Sequence, residues 1–214
     1  MSSVAIIDYG MGNLHSIAKA VQHADPSASV MVTDQREAIL AAERVVFPGV
    51  GAIRDCMEAL NSRGLVEVLG EVAATKPLLG ICLGMQALLD ESEENNGTPC
   101  LGLIPGRVVR FADTLVDSAG ESLKIPHMGW NEVFPRVHHP LWEGIAPGSR
   151  FYFVHSYYAQ PTDSGDIAAT ADYPEPFAVA LAHGNIFAVQ FHPEKSQTAG
   201  LRLLANFLNW NPGQ

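Results

Sequence analysis

Residues 78–88, LLGICLGMQAL, carry an apolar run straight into a cysteine held between two glycines, and helix-compatible spacing begins at once. A short apolar run bounded by turn residues reads as a buried strand. A strand that passes directly into a helix makes a sharp corner, and flanking glycines let neighbouring backbone pass close to it. The start of a helix lowers the pKa of a thiol and offers backbone N–H groups to a developing oxyanion. Taken alone, G-I-C-L-G fits a structural cysteine buried in a turn equally well.

Upstream of this corner, VAIID (4–8), ASVMVT (28–33) and RVVFPG (44–49) read as strands, with PLLGI (77–81) as the fourth. Helix-period stretches cover about 14–23, 34–42, 52–60 and 64–74. Alternation of this kind, with continuous Val/Ile/Leu runs, predicts an open parallel sheet covered by helices on both faces. Beyond residue 100 the rhythm changes. LIPGRVVRF, RFYFVHSYYAQ, FAVALAHGN and IFAVQFHPE are strand-like runs separated by short turns, with HGN as a hairpin turn. Antiparallel strands are therefore expected in the C-terminal half. The spacing predicts a last helix over 196–210, with Ser196 as N-cap, and loops at 91–99 and 113–122. No internal linker or repeat stands out, so 1–214 is expected to be one domain.

The chain has 214 residues, 47% of them hydrophobic and 17% charged, enough to bury a sizeable core. A formal net charge of -10 argues against nucleic acid or an anionic membrane as main partner. Three cysteines without a C-x-x-C pair argue against a disulfide framework or a zinc site, and a reducing cytoplasm fits them better. No apolar run reaches the ~20 residues of a membrane helix.

A thiol nucleophile works beside an imidazole that is itself oriented by an acceptor. AVQFHPEKS (188–196) supplies both, in His192 and Glu194. If strand geometry persists past the run, these two positions point to the same side. At the end of the third strand, P-G-V-G (48–51) allows a peptide whose N–H can turn toward a substrate oxygen. Each signal is weak by itself. Together they converge on the carboxyl ends of parallel strands, where open α/β sheets place their sites.

G-I-C-L-G-M-Q, P-G-V-G and F-H-P-E stand in the order and approximate spacing of the class I (triad) glutamine amidotransferases, and the chain resembles that family over nearly its whole length. The resemblance implies a flavodoxin-like α/β sheet and hydrolysis of the glutamine side-chain amide through a thioester on Cys82, with release of ammonia. His192 would be general base and acid, and Glu194 would orient it. Gly49, Val50, Gly51 and Leu83 would form the oxyanion site. Gly51, Gln86, Glu94, Ser156 and Tyr157 would bind glutamine, Glu94 receiving its α-ammonium. No cofactor or metal is implied.

DYGMGN (8–13), KIPHMGWN (124–131), FVHSY (153–157) and HPEKS (192–196) are similar to the branch of that family serving histidine biosynthesis. For that branch the resemblance implies a heterodimer with a separate (β/α)8-barrel cyclase, which uses the ammonia to make imidazole glycerol phosphate. Asn13, Trp130 (in an H-M-G-W-N turn) and Lys195 would surround the ammonia exit at the interface. A barrel-docked glutaminase of pyridoxal phosphate synthesis is the nearest rival. A cysteine peptidase or deglycase on a related sheet is another, and it would not need Gln86 and Glu94.

Overall fold

The computed structural model describes residues 2–116 and 120–212. Its N-terminal half alternates strand and helix: β1 (Ser3–Ile7), α1 (Leu14–Ala24), β2 (Ser29–Thr33), α2 (Arg36–Ala41), β3 (Arg44–Gly49), α3 (Ile53–Ser62), α4 (Leu65–Thr75), β4 (Leu78–Cys82) and α5 (Leu83–Ala87). Short strands β5 (Glu91–Ser92) and β6 (Thr98–Pro99) follow, then β7 (Gly106–Arg110), β8 (Leu115–Val116) and β9 (Ser122–Leu123). The longer strands β10 (His127–Pro135), β11 (Ser149–His155), β12 (Tyr157–Pro161), β13 (Ile167–Asp172), β14 (Pro176–His183) and β15 (Ile186–Val189) lead to α6 (Gln197–Asn209).

Five strands run parallel in the order β2-β1-β3-β4-β15. Beyond β15 the sheet continues through β14, β12 and β7, each antiparallel to its neighbour, and β13, β10 and β11 extend it as antiparallel pairs. This is the expected α/β architecture, with the antiparallel additions in the C-terminal half. The HGN turn joins β14 to β15 as a hairpin.

The period of two along each parallel strand builds two cores. Val4, Ile6, Val46, Leu79, Ile81, Phe187 and Val189 pack on the face covered by α1 and α6. Ala5, Ile7, Val45, Phe47, Leu78, Ile186 and Ala188 pack on the opposite face, under α2–α5. That is why these strands read as unbroken apolar runs. At the base of β3, the buried Arg44 donates to the carbonyls of Phe207 (3.1 Å) and Trp210 (2.9 Å), satisfying the last turn of α6.

The fold departs from several expectations. HMGWN is no turn: it opens β10, held in register by pairing of His127 with His155 and Trp130 with Tyr152. Gly129 hid the alternation. RFYFVHSYYAQ is broken at Ser156, because β11 pairs with β10 whereas β12 pairs with β7 and β14. The loop 91–99 is a small β5–β6 hairpin around one 3-10 turn at Glu94–Asn96. Of 113–122, β8 and β9 pair as a hairpin, and its tip at 117–119 lies outside the described residues. Ser196 precedes α6 but makes no capping bond. Its hydroxyl donates to the carbonyl of His192 (2.6 Å) and accepts from the Tyr152 amide (3.0 Å), which fixes the turn before the helix instead.

Candidate active site

Because β1, β3, β4 and β15 are parallel, the segments after them emerge on one rim of the sheet. Cys82 ends β4 opposite Gly49 of β3 and has φ 54° and ψ -110°, a left-handed conformation that a non-glycine residue adopts only when its surroundings impose it. The corner is crowded by backbone and side chains alike. A Cβ on Gly84 would lie 2.0 Å from the Phe47 carbonyl oxygen, and one on Gly49 would lie 2.7 Å from Tyr9 Oη and 2.9 Å from the Gly84 nitrogen. Glycine on each side thus lets β3 and the start of α5 close on the cysteine. The Tyr9 hydroxyl donates to the Pro48 carbonyl (2.9 Å), tying the PGVG stretch to the end of β1.

His192 and Glu194 follow β15. The His192 Nδ1–H donates to Glu194 Oε1 at 2.9 Å, and the two side chains are 2% and 0% exposed. Persisting strand geometry does not bring them together, contrary to expectation. The chain leaves β15 at Val189, and Pro193–Lys195 makes one 3-10 turn that folds Glu194 back onto the ring. Among the described residues the buried Nε2 makes no hydrogen bond, and the ring lines the same cavity as Cys82. Burial opposes a charge on this ring, yet interaction with the Cys82 sulfur and the Glu194 carboxylate outweighs it, lifting the His192 pKa to about 9. Burial is the main influence on the other two thiols: it pushes Cys56 up to about 11 against a hydrogen bond with Tyr9, and, with nearby carboxylates adding to it, Cys100 up to about 12.

The cavity, about 320 Å3, brings together Val50, Gly51, Cys82, Leu83, Gln86, Glu94, Ser156, Tyr157 and His192. Gly49 does not line it; it lies beneath, in the strand. Glu94 Oε2 accepts from the Ile53 amide at the start of α3 (3.1 Å), so its carboxylate is held at the cavity edge while retaining free lone pairs. Gln86 is buried, and its Nε2 donates to the Tyr157 carbonyl and to Gln190 Oε1, both at 2.9 Å. Gln190, fully buried, donates in turn to Cys82 Sγ at 3.7 Å. Sequence reasoning missed Gln190 and also His155, which lines the cavity. The signal for Gln190 was present: a polar side chain two residues before His192 at the end of an apolar strand.

Trp130 and Lys195 meet on one aromatic ring. Trp130 is 40% exposed on β10 and contacts Tyr152 edge-on at 6.2 Å, and Lys195 Nζ sits 5.7 Å from the centre of the same ring. The indole is therefore surface, not core. Asn13 is at the N-cap of α1, where its side chain makes no capping bond. Among the described residues no group of three His, Cys, Asp or Glu is placed to hold a metal ion, and no helix is long and apolar enough to cross a membrane.

The model of the family described as glutamine amidotransferase class-I matches residues 5–210. The imidazole glycerol phosphate synthase subunit HisH of Methylococcus capsulatus is 70% identical over 99% of this chain and 98% of its own length. That of Thiobacillus denitrificans is 57% identical over 99% and 92%. Among solved structures, a protein described as glutamine amidotransferase superposes with TM-score 0.73 over 96% of this chain and 97% of that one, at 18% identity. PurLQS from Thermotoga maritima gives 0.67 over 97% and 98%, at 17% identity. Those distant likenesses establish the fold, and the full-length identities go further: the chain belongs to the class I glutamine amidotransferases and, within them, to the family of imidazole glycerol phosphate synthase HisH subunits.

Proposed function

We propose that the cavity hydrolyses glutamine to glutamate and ammonia, with Cys82 as nucleophile, His192 as proton carrier and Glu194 as the group that orients it. The Cys82 thiolate adds to the side-chain carboxamide carbon, and the resulting oxyanion is received by N–H groups at Val50 and Leu83. As the C–N bond breaks, the His192 imidazolium gives its Nε2 proton to the departing nitrogen, which leaves as ammonia. Water then attacks the thioester, Nε2 takes a proton from it, and collapse frees glutamate and the thiolate. Gln86, Ser156 and Tyr157 hold the amino-acid end, and Glu94 accepts from its α-ammonium in a charge-assisted hydrogen bond.

The observation that carries this reading is the His192 ring: its Nδ1 is locked by a buried carboxylate, and the ring lines the same cavity as Cys82, whose sulfur helps to raise its pKa. The ammonia passes to a (β/α)8-barrel cyclase that makes imidazole glycerol phosphate and an aminoimidazole carboxamide ribotide. Trp130, Lys195 and Asn13 face that partner. Free ammonia in neutral water is protonated and loses its nucleophilicity, so a sealed interface suits the chemistry. Similarity to HisH subunits along 99% of the chain favours this partner over the barrel of pyridoxal phosphate synthesis. Substituting Cys82→Ala in the complex tests both halves. Glutamine-dependent product formation should fall to background while ammonia-dependent synthesis survives; loss of both, or of neither, would contradict the assignment.

A further inference from the structure

At the cavity wall, which His155 helps to line, lies a pair of histidines with no role in the chemistry above. His127 of β10 and His155 of β11 are both buried, and His127 Nδ1 lies 2.8 Å from His155 Nε2. His155 Nδ1 lies 2.8 Å from the Tyr157 carbonyl oxygen, and His127 Nε2 lies 3.3 Å from Asn131 Nδ2. Aromatic rings enclose the pair: Tyr173 is 4.1 Å and Phe153 4.9 Å from His127, and Phe111 is 5.4 Å from His155.

The protons of this chain are determined by its two ends. A carbonyl oxygen only accepts, so His155 must carry its proton on Nδ1. At the far end, Asn131 Oδ1 accepts from the Glu132 amide (2.8 Å), and Nδ2 donates to the Asp172 carbonyl (2.9 Å), so Nδ2 is the atom facing His127. That NH2 needs an acceptor, hence His127 Nε2 is bare and its proton is on Nδ1. The His127 Nδ1–H then donates to His155 Nε2. Either ring as a cation would set donor against donor at Asn131. Burial acts in the same direction, lowering His127 to about 4 and His155 to about 3.

The chain ends where ligand recognition begins. The Tyr157 carbonyl has two lone pairs, one taken by His155 Nδ1–H and the other by Gln86 Nε2–H. With its second N–H on Gln190, Gln86 has both donors committed inside the protein, which leaves Oε1 as its free polar atom in the cavity. We infer that His127 and His155 are positioning residues: locked as Nδ1–H tautomers, they fix the Tyr157 carbonyl and thereby hold Gln86 with an acceptor, never a donor, toward bound glutamine. The inference rests on the glutamine reading and adds residues that do not touch the reacting atoms.

The first test is the tautomers themselves, read by long-range 1H–15N NMR of the histidine-labelled full chain at neutral pH, with no ligand. Both rings should show a protonated Nδ1 and a bare Nε2; either ring as Nε2–H or as a cation would overturn the inference. The second test is glutamine turnover by the complex with its cyclase. His155→Phe should raise KM for glutamine about tenfold, equivalent to ~1.4 kcal/mol, with kcat changed by less than about threefold. His155→Asn, which keeps a donor near the Nδ1 position, should recover most of the loss. In a Gln86→Ala background His155→Phe should add little, since its effect runs through Gln86. A drop in kcat equal to the KM effect, no recovery by His155→Asn, or full additivity would each overturn it. A wild-type complex without glutamine turnover would remove the glutamine reading itself, a failure distinct from any of these.

Discussion

The molecule holds histidine in two buried settings that border one cavity, and it drives them in opposite directions. His192 is enclosed with a carboxylate and a thiol, and its pKa rises to about 9. His127 and His155 are enclosed with each other, a carbonyl and aromatic rings, and their pKa values fall to about 4 and 3. Burial is common to all three, so burial does not choose the outcome. The neighbours do: an anionic partner offsets the desolvation of a cation, whereas a neutral acceptor on one side and a neutral donor on the other leave it uncompensated. One setting is suited to moving a proton and the other to keeping it still.

Glu194→Gln breaks the comparison most directly, by turning the first setting into something like the second. Without the carboxylate the imidazolium loses its buried partner, and an amide can present either a donor or an acceptor to Nδ1. Glutamine-dependent kcat should fall by roughly 10²–10⁴, by analogy with the loss of a buried carboxylate from a triad, measured as glutamate release by the complex. A value within threefold of wild type would mean that Glu194 does not orient the ring.

A smaller effect is expected from pH. In the proposed mechanism the proton handed to ammonia comes from the imidazolium, so kcat should hold at neutral pH and decline as pH rises through about 9. In Glu194→Gln the residual activity should decline at lower pH, toward the ordinary histidine value of 6.5. An alkaline limb that stays put in the variant would detach the raised pKa from the carboxylate.

Stability should carry both signs at once. His192, raised in the folded state, contributes stabilisation that is complete below pH 6.5 and is lost as pH climbs to about 9. His127 and His155, lowered in the folded state, penalise folding as pH drops from 6.5 toward 4 and 3, and His139, lowered to about 4 by burial, adds to that limb. Thermal midpoints compared across pH should lose part of the alkaline slope in His192→Asn and part of the acid slope in His127→Phe. Unchanged slopes in both variants would refute the division. The least effect should come from Lys195→Ala, which removes an exposed charge from the Tyr152 ring. Glutamine affinity should change little, while glutamate formed per cyclised product rises a few-fold; a fixed ratio would take Lys195 out of the interface.

These settings were unequally legible in the amino-acid order. GICLG and HPE are local: each puts its chemistry within five residues, and the parallel strands that bring them to one rim announce themselves as apolar runs. The His127–His155 pair is not local. It depends on the register of β10 against β11, on residues 28 apart, and on a strand whose alternation is interrupted at Gly129. Gln190 lay inside a stretch singled out for other reasons, and only the fold of Gln86 onto it shows what it holds. The expected side-by-side placement of His192 and Glu194 was right in outcome and wrong in cause, since a 3-10 turn produces it.

The crowding at Gly84 has a practical corollary. The carbonyl of Phe47 sits where any side chain there would begin, so the proposed nucleophile is not a module that β4 carries by itself. A designer wishing to transplant it to another scaffold would have to move three adjacent strands, β3, β4 and β15, as one block and reproduce their spacing. Random mutagenesis of that block should yield far fewer tolerated changes than the rest of the sheet.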